Sequence, residues 1–265
     1  MKELSMRKYT SFLAILAAGL FLGAVAPPSV EVTGFRVAAA VKDQELSGFN
    51  WEEGVVLRLQ FTTPDGTIVE MDRDASTIAS FKDDKGTDLL GGKKADDFGV
   101  GFEMMPSYSK DRKMCAVNLH APTLPAKSAT AVLLKGEAAI SVAAGTKDVT
   151  VDNVALTTGT KLTLADVPLE ISKVGKPDFG DGTAVTLSAN QPLTAIAEIT
   201  FIGPDGKKID VRDGGTSSMS FMGKTRVERS YVFKTLPASA KVTAKVWTDL
   251  KTQKVPLDLK VGIGL

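Results

Sequence analysis

Apolar and polar residues alternate along much of this chain with a period of two. The last segment shows it most plainly. Over residues 255–263, Val255, Leu257, Leu259, Val261 and Ile263 fall on one side, and Pro256, Asp258, Lys260 and Gly262 on the other. Successive side chains of an extended strand point to opposite faces, so the pattern predicts a strand with one face buried. "VTAKVWT" does the same with Val242, Ala244 and Val246, and "GVVLRLQF" (54–61) and "AIAEITF" (195–201) are short alternating runs rich in branched residues. No stretch after residue 30 holds a helical period over ten residues. The expected class is all-β.

Two of these runs end in the same way. "FTTPDG" begins at Phe61 and "FIGPDG" at Phe201. Pro presets φ, Asp bonds the backbone ahead of it and Gly accepts positive φ, so each Pro-Asp-Gly is predicted to turn a β-hairpin. A shift of 140 positions lays residues 50–81 on 190–221, matching Asn50, Phe61, Pro64, Asp65, Gly66, Ser80 and Phe81 to identical residues. A second match, "TLPA" at 123–126 and 235–238, has an offset of 112. Two matches imply a duplication, with Phe61 equivalent to Phe201 and Pro125 to Pro237. The fall in offset places 28 extra residues in the first copy, near 82–109, as a loop with an added strand.

The repeat divides the chain into a domain over 29–156 and a second over 161–265, joined by "TTGTK". Seven or eight short strands in about 100 residues resemble the immunoglobulin-like β-sandwich, here as two tandem antiparallel sandwiches. The resemblance is one of architecture. The Cys…Trp…Cys signature of antibody domains is missing, so fibronectin-type and other sandwich topologies stay open. Exported bacterial proteins string such domains together; the expected role is that of a binding or spacer module of the cell envelope, with a carbohydrate-binding or carbohydrate-cleaving accessory protein as the alternative.

The N-terminus agrees with export. Lys2, Arg7 and Lys8 precede an uncharged run from Tyr9 to Val30, and Ala24-Val25-Ala26 offers small residues for signal cleavage. Residues 1–26 are therefore expected to be a signal peptide, placing the mature protein in the periplasm or outside the cell. Pro27 stands at +1, where it hinders cleavage, and residues 9–30 are long enough to anchor the chain in a membrane instead. Without residues 1–26 the chain has 29 basic and 30 acidic residues, so it offers no basic excess for nucleic acid. A single cysteine, Cys115, excludes an internal disulfide.

Candidate chemistry is sparse. His120 is the only histidine, and there is no nucleophile elbow, HExxH or phosphate loop, so the chain reads as non-enzymatic and without a cofactor. Asp83, Asp84 and Asp88 surround a glycine in "DDKGTD" and are the candidate calcium ligands. Cys115, His120 and the neighbouring Met104, Met105 and Met114 raise copper, but alternation sets Cys115 and His120 on opposite faces of one strand. Trp51, Trp247 and Lys245 are the binding candidates. Trp247 and Lys245 face away from the valines of their strand, and exposed aromatics suit protein or sugar partners. An envelope protein or a glycan is the expected partner. A glycan site would set Trp51 or Trp247 beside a carboxylate in a groove, and a spacer would have no such groove.

Overall fold

The computed structural model describes residues 27–39, 53–93, 100–103, 105–221 and 224–263. The expected signal segment and Trp51 lie outside them. Among the described residues sixteen strands form four antiparallel sheets. The first sheet runs β1 (Ser29–Ala38), β2 (Gly54–Thr62), β6 (Met114–Ala121), with β4 (Gly101–Phe102) and β5 (Ser107–Tyr108) both on the far edge of β6. It faces a three-stranded sheet of β3 (Thr67–Asp83), β7 (Ala131–Ala143) and β16 (Lys251–Gly262). Leu57, Leu59, Phe61, Phe81, Leu119, Leu134, Ile140 and Leu257 fill the core between them.

A second pair of sheets repeats the plan. β9 (Lys161–Leu164), β10 (Val167–Gly175), β11 (Thr183–Ala189), β14 (Lys224–Phe233) and β13 (Val211–Phe221) make one. β8 (Gly145–Ala155), β15 (Ser239–Thr248) and β12 (Ile196–Ile202) make the other. Leu164, Ile171, Val185, Phe201, Phe233 and Val242 pack between them.

The final strand departs from the expected boundaries. Its alternation is as predicted, with Val255 and Leu257 buried, but it pairs with β7 and its side chains enter the first core. Only Ala144 separates β7 from β8, and only Asp249 and Leu250 separate β15 from β16. Gly145 pairs with Thr248, Val142 pairs with Lys251, and the Ala144 N–H donates to the Thr248 carbonyl at 3.0 Å. A two-stranded ribbon thus passes from one core to the other. The division into 29–156 and 161–265 is corrected: residues 145–155 pair within the second set of sheets and residues 251–262 within the first.

The register also corrects the repeat. β1 and β10 each carry a bulge at the same place, between Val32 and Gly34 and between Ile171 and Lys173. The bulged residues act alike: Thr33 Oγ1 donates to the Arg58 carbonyl and Ser172 Oγ to the Thr186 carbonyl, each at 3.4 Å. Just before β11, Gly182 stands where Gly54 opens β2. A Cβ on Gly54 would lie 2.1 Å from the Ala121 carbonyl oxygen, and one on Gly182 2.4 Å from that of Phe233. At the end of β3 the Leu89 N–H donates to the Phe81 carbonyl at 2.9 Å; after β12 the Ile209 N–H donates to the Phe201 carbonyl at 2.8 Å. By these contacts Phe201 stands in its sheet as Phe81 does, at an offset of 120, whereas Phe61 lies on β2 of a five-stranded sheet.

Two further expectations fall with that alignment. Neither Pro-Asp-Gly joins two strands of one sheet: β2 and β3 lie in different sheets, as do β12 and β13, and the second turn closes only a single bridge, Ile202 to Lys208. The extra length is also smaller. β6 corresponds to β14 at an offset of 112, so eight residues, not 28, are added between Phe81 and Ala121. Residues 81–89 have a counterpart in 201–209, and β4 and β5 occupy the edge that β13 occupies on β14. Among the described residues of 82–109 the strands beyond β3 are the two short edge strands β4 and β5.

Candidate functional site

Trp247 lies on the outward side of β15, half-buried, where the second pair of sheets meets the first. Its strand neighbours Val246 and Ala244 fill the core, so the alternation that buries them turns the indole the other way. It lines a cleft of about 430 Å³ with Val69, Glu70 and Arg112 from the first set of sheets and Thr194, Thr216 and Arg229 from the second. Thr194 Oγ1 donates to Glu70 Oε2 at 3.3 Å across the junction. Burial raises the Glu70 pKa above the usual carboxylate range; the Thr194 bond opposes this and the nearby Asp72 charge adds to it.

Arg112 is held in place. Its Nε donates to the Ile68 carbonyl at 2.9 Å, Nη2 donates to the Val69 carbonyl, and the guanidinium sits 4.2 Å over the Tyr108 ring. It is a wall of the cleft more than a free charge. Arg229 is less committed, with one long contact from Nε to Thr216 Oγ1 at 3.4 Å.

A smaller cleft, about 310 Å³, adjoins this one and shares Ala197 and Arg229 with it. Glu198, Lys208, Asp210, Asp213 and Tyr231 line it. Glu198 is paired with Lys245 at 3.3 Å and Lys208 at 3.5 Å. Tyr231 is 6% exposed, its ring meets Phe201 edge-on at 5.1 Å, and its hydroxyl has no hydrogen-bond partner among the described residues. Burial pushes its phenol up to about 12, against the opposing charge of the nearby Arg229 guanidinium and its hydrogen-bonding pull on the hydroxyl. A broader depression of about 600 Å³ on the outer face of the second five-stranded sheet is lined by groups such as Lys161, Glu170, Ser188 and Arg226. Its lining includes no aromatic residue.

Of the sequence candidates, Trp247 therefore enters a cleft and Lys245 holds a carboxylate beside it. The aspartates of "DDKGTD" do something else. Asp83 Oδ1 accepts from the Lys85 and Thr87 N–H groups and Oδ2 from that of Ala126, while Asp84 accepts from Thr130 and Asp88 from Leu90 and Gly92. These carboxylates tie turns together and do not converge. Cys115 is buried on the core face, and His120 lies on the other face with Glu103 Oε1 at 3.3 Å. Among the described residues no group of three or more His, Cys, Asp or Glu is placed to hold a metal ion. The calcium and copper readings are left without a ligand set.

Glu70, Thr194, Arg229 and Tyr231 were not among the sequence candidates. One of them had left a signal: "VERSYVF" alternates, and Arg229 sits on its apolar side with Val227, Tyr231 and Phe233. No protein-family model, no curated protein and no solved structure matches this chain.

Proposed function

We propose that the chain is an exported, non-enzymatic binding protein built from two related immunoglobulin-like sandwiches, and that it binds a neutral glycan in the Trp247 cleft. The observation that carries this is the company Trp247 keeps. An indole, the Glu70 carboxylate, the Arg229 guanidinium and the Thr194 and Thr216 hydroxyls share one concave surface. An aromatic face stacks on the C–H face of a pyranose, and flanking acceptors and donors take its hydroxyls. A spacer has no use for such a groove. Glu70 is the one carboxylate among the described residues lining this cleft, whereas glycoside hydrolysis uses a facing pair. Binding is favoured over cleavage for that reason. The basic and apolar N-terminal segment supports export, and the shared bulges and turns support descent of the two halves from one ancestor.

The test is titration of cellohexaose, maltohexaose, chitohexaose and xylohexaose into the mature protein, followed by tryptophan fluorescence and calorimetry. At least one should bind, and Trp247→Ala should weaken it by about 30-fold or more, within the range of a lost aromatic anchor. Failure of all four to bind, or unchanged binding in Trp247→Ala, would refute the glycan reading.

A further inference from the structure

The corrected register allows the two cores to be compared position by position, and one place stands out. Leu119 pairs with Phe102 in the first set of sheets, and Tyr231 pairs with Asp213 at the equivalent place in the second. Two residues earlier on the same faces, Val117 corresponds to Arg229. Leu90, which follows Leu89, corresponds to Asp210, which follows Ile209. Leu90, Phe102, Val117 and Leu119 are all buried in the first core. Their counterparts Asp210, Asp213, Arg229 and Tyr231 all line the 310 Å³ cleft. Three apolar positions of one packed wall are charged at their counterparts, and the fourth, Tyr231, stays in the second core and brings a hydroxyl to it.

Packing does not account for the change. It removes apolar burial and leaves the Tyr231 hydroxyl buried beside the Arg229 guanidinium with no hydrogen bond within 3.5 Å, an arrangement that costs stability unless something completes it. The cleft is close to charge-balanced, since Glu198 is paired with Lys208 and Lys245, and Arg229 lines it together with Asp210 and Asp213. Such a wall offers separate donors and acceptors and favours no net charge in its occupant. It adjoins the Trp247 cleft at Arg229 and Ala197, which line both.

We infer that the Tyr231 cleft is a second subsite of the same groove, so that the ligand is a glycan chain longer than a disaccharide, stacked on Trp247 and extended along β12 to hydrogen-bond Tyr231, Asp210 and Asp213. This rests on the glycan reading above. The chain lies across Arg229, which serves both subsites. Lys245 acts indirectly, by holding Glu198 out of the way of the added units.

The experiment compares the four hexaoses with their disaccharides on the wild type and two variants. Tyr231→Phe keeps the ring contact with Phe201 and loses only the hydroxyl. The double variant Asp213→Phe, Tyr231→Leu restores the pair that the first core uses. The bound hexaose should exceed its disaccharide by about tenfold in affinity, the gain of one or two well-made hydrogen bonds to charged groups. Tyr231→Phe should cut that advantage by about fivefold and the double variant should remove it, both leaving disaccharide binding within about twofold. Melting temperatures should hold or rise in Tyr231→Phe, because an unpartnered buried hydroxyl is gone. A wild type that binds a hexaose no better than its disaccharide overturns the second subsite and leaves the Trp247 reading standing. An advantage that survives both variants does the same. Absence of any binding removes both proposals together.

Discussion

Asp83→Asn changes one atom and should cost the first core heavily. Asp83 is 1% exposed and its carboxylate accepts three backbone hydrogen bonds, from Lys85 at 2.9 Å, Thr87 at 2.8 Å and Ala126 at 2.8 Å. The first two close the turn after β3; the third ties that turn to the loop entering β7. Asparagine can keep its oxygen on Lys85 and Thr87, but its NH₂ then faces the Ala126 N–H, donor against donor. Two charge-assisted bonds weaken and one is lost, a destabilisation of about 3 kcal/mol. The pH dependence follows from the same contacts. Burial alone favours the protonated acid, but the bonds from Ala126, Thr87 and Lys85 outweigh it and lower the pKa from 3.8 to about 2. A depressed carboxylate stabilises fully above its unfolded value and loses that contribution as pH falls through the folded one. The gap between wild type and Asp83→Asn should therefore be constant above about pH 5 and shrink from about pH 4 towards pH 2. Urea unfolding would measure it, with amide exchange at Ala126 as the local reporter and the exposed Asp258→Asn as a control within about 0.5 kcal/mol. A variant within about 0.5 kcal/mol of wild type at pH 7, or a gap that persists undiminished in acid, would show that the carboxylate does not hold the turn.

Gly54→Ala should cost more than about 3 kcal/mol, because φ is 131° and the new Cβ would meet the Ala121 carbonyl oxygen at 2.1 Å. Gly206→Ala, at φ 78° with open space around it, should cost only about 1 kcal/mol; equal thermal shifts in the two would refute the steric argument. Burial pushes the Cys115 thiol up to about 11, against the charge of Arg112 and a bond with Tyr108, so Ellman's reagent at pH 8 should label it only in urea. Rapid labelling of the folded protein would contradict its burial. Removal of residues 251–265 takes Val255, Leu257 and Ile263 from the first core, so exchange protection should be lost in β3 and β7 and kept in β11 and β14. Loss confined to the second set would overturn the strand assignment.

Alternation alone identified the all-β class and most of the strands, because whether a strand buries one face is a property of consecutive residues. It set Val255 and Leu257 on a buried face, Cys115 opposite His120, and Trp247 opposite Val246, as the structure has them. Pairing is a different kind of information. Nothing local to "VPLDLKVGI" says whether β7 or β15 lies beside it, since either offers an antiparallel edge and an apolar face. The ribbon that carries β16 back to the first core is settled by contacts more than a hundred residues apart in sequence. The match of the two Pro-Asp-Gly passages misled, because that tripeptide suits many tight turns and so joined two turns that occupy different places in the sheets. The equivalences lie in hydrogen bonds, at Thr33 and Ser172 and at Phe81 and Phe201, and their offsets drift because loops lengthen freely while sheet register cannot slip. The cleft was the least legible part. Glu70 and Thr194 stand 124 residues apart, and only the folded chain brings the carboxylate, the hydroxyl and Trp247 to one surface.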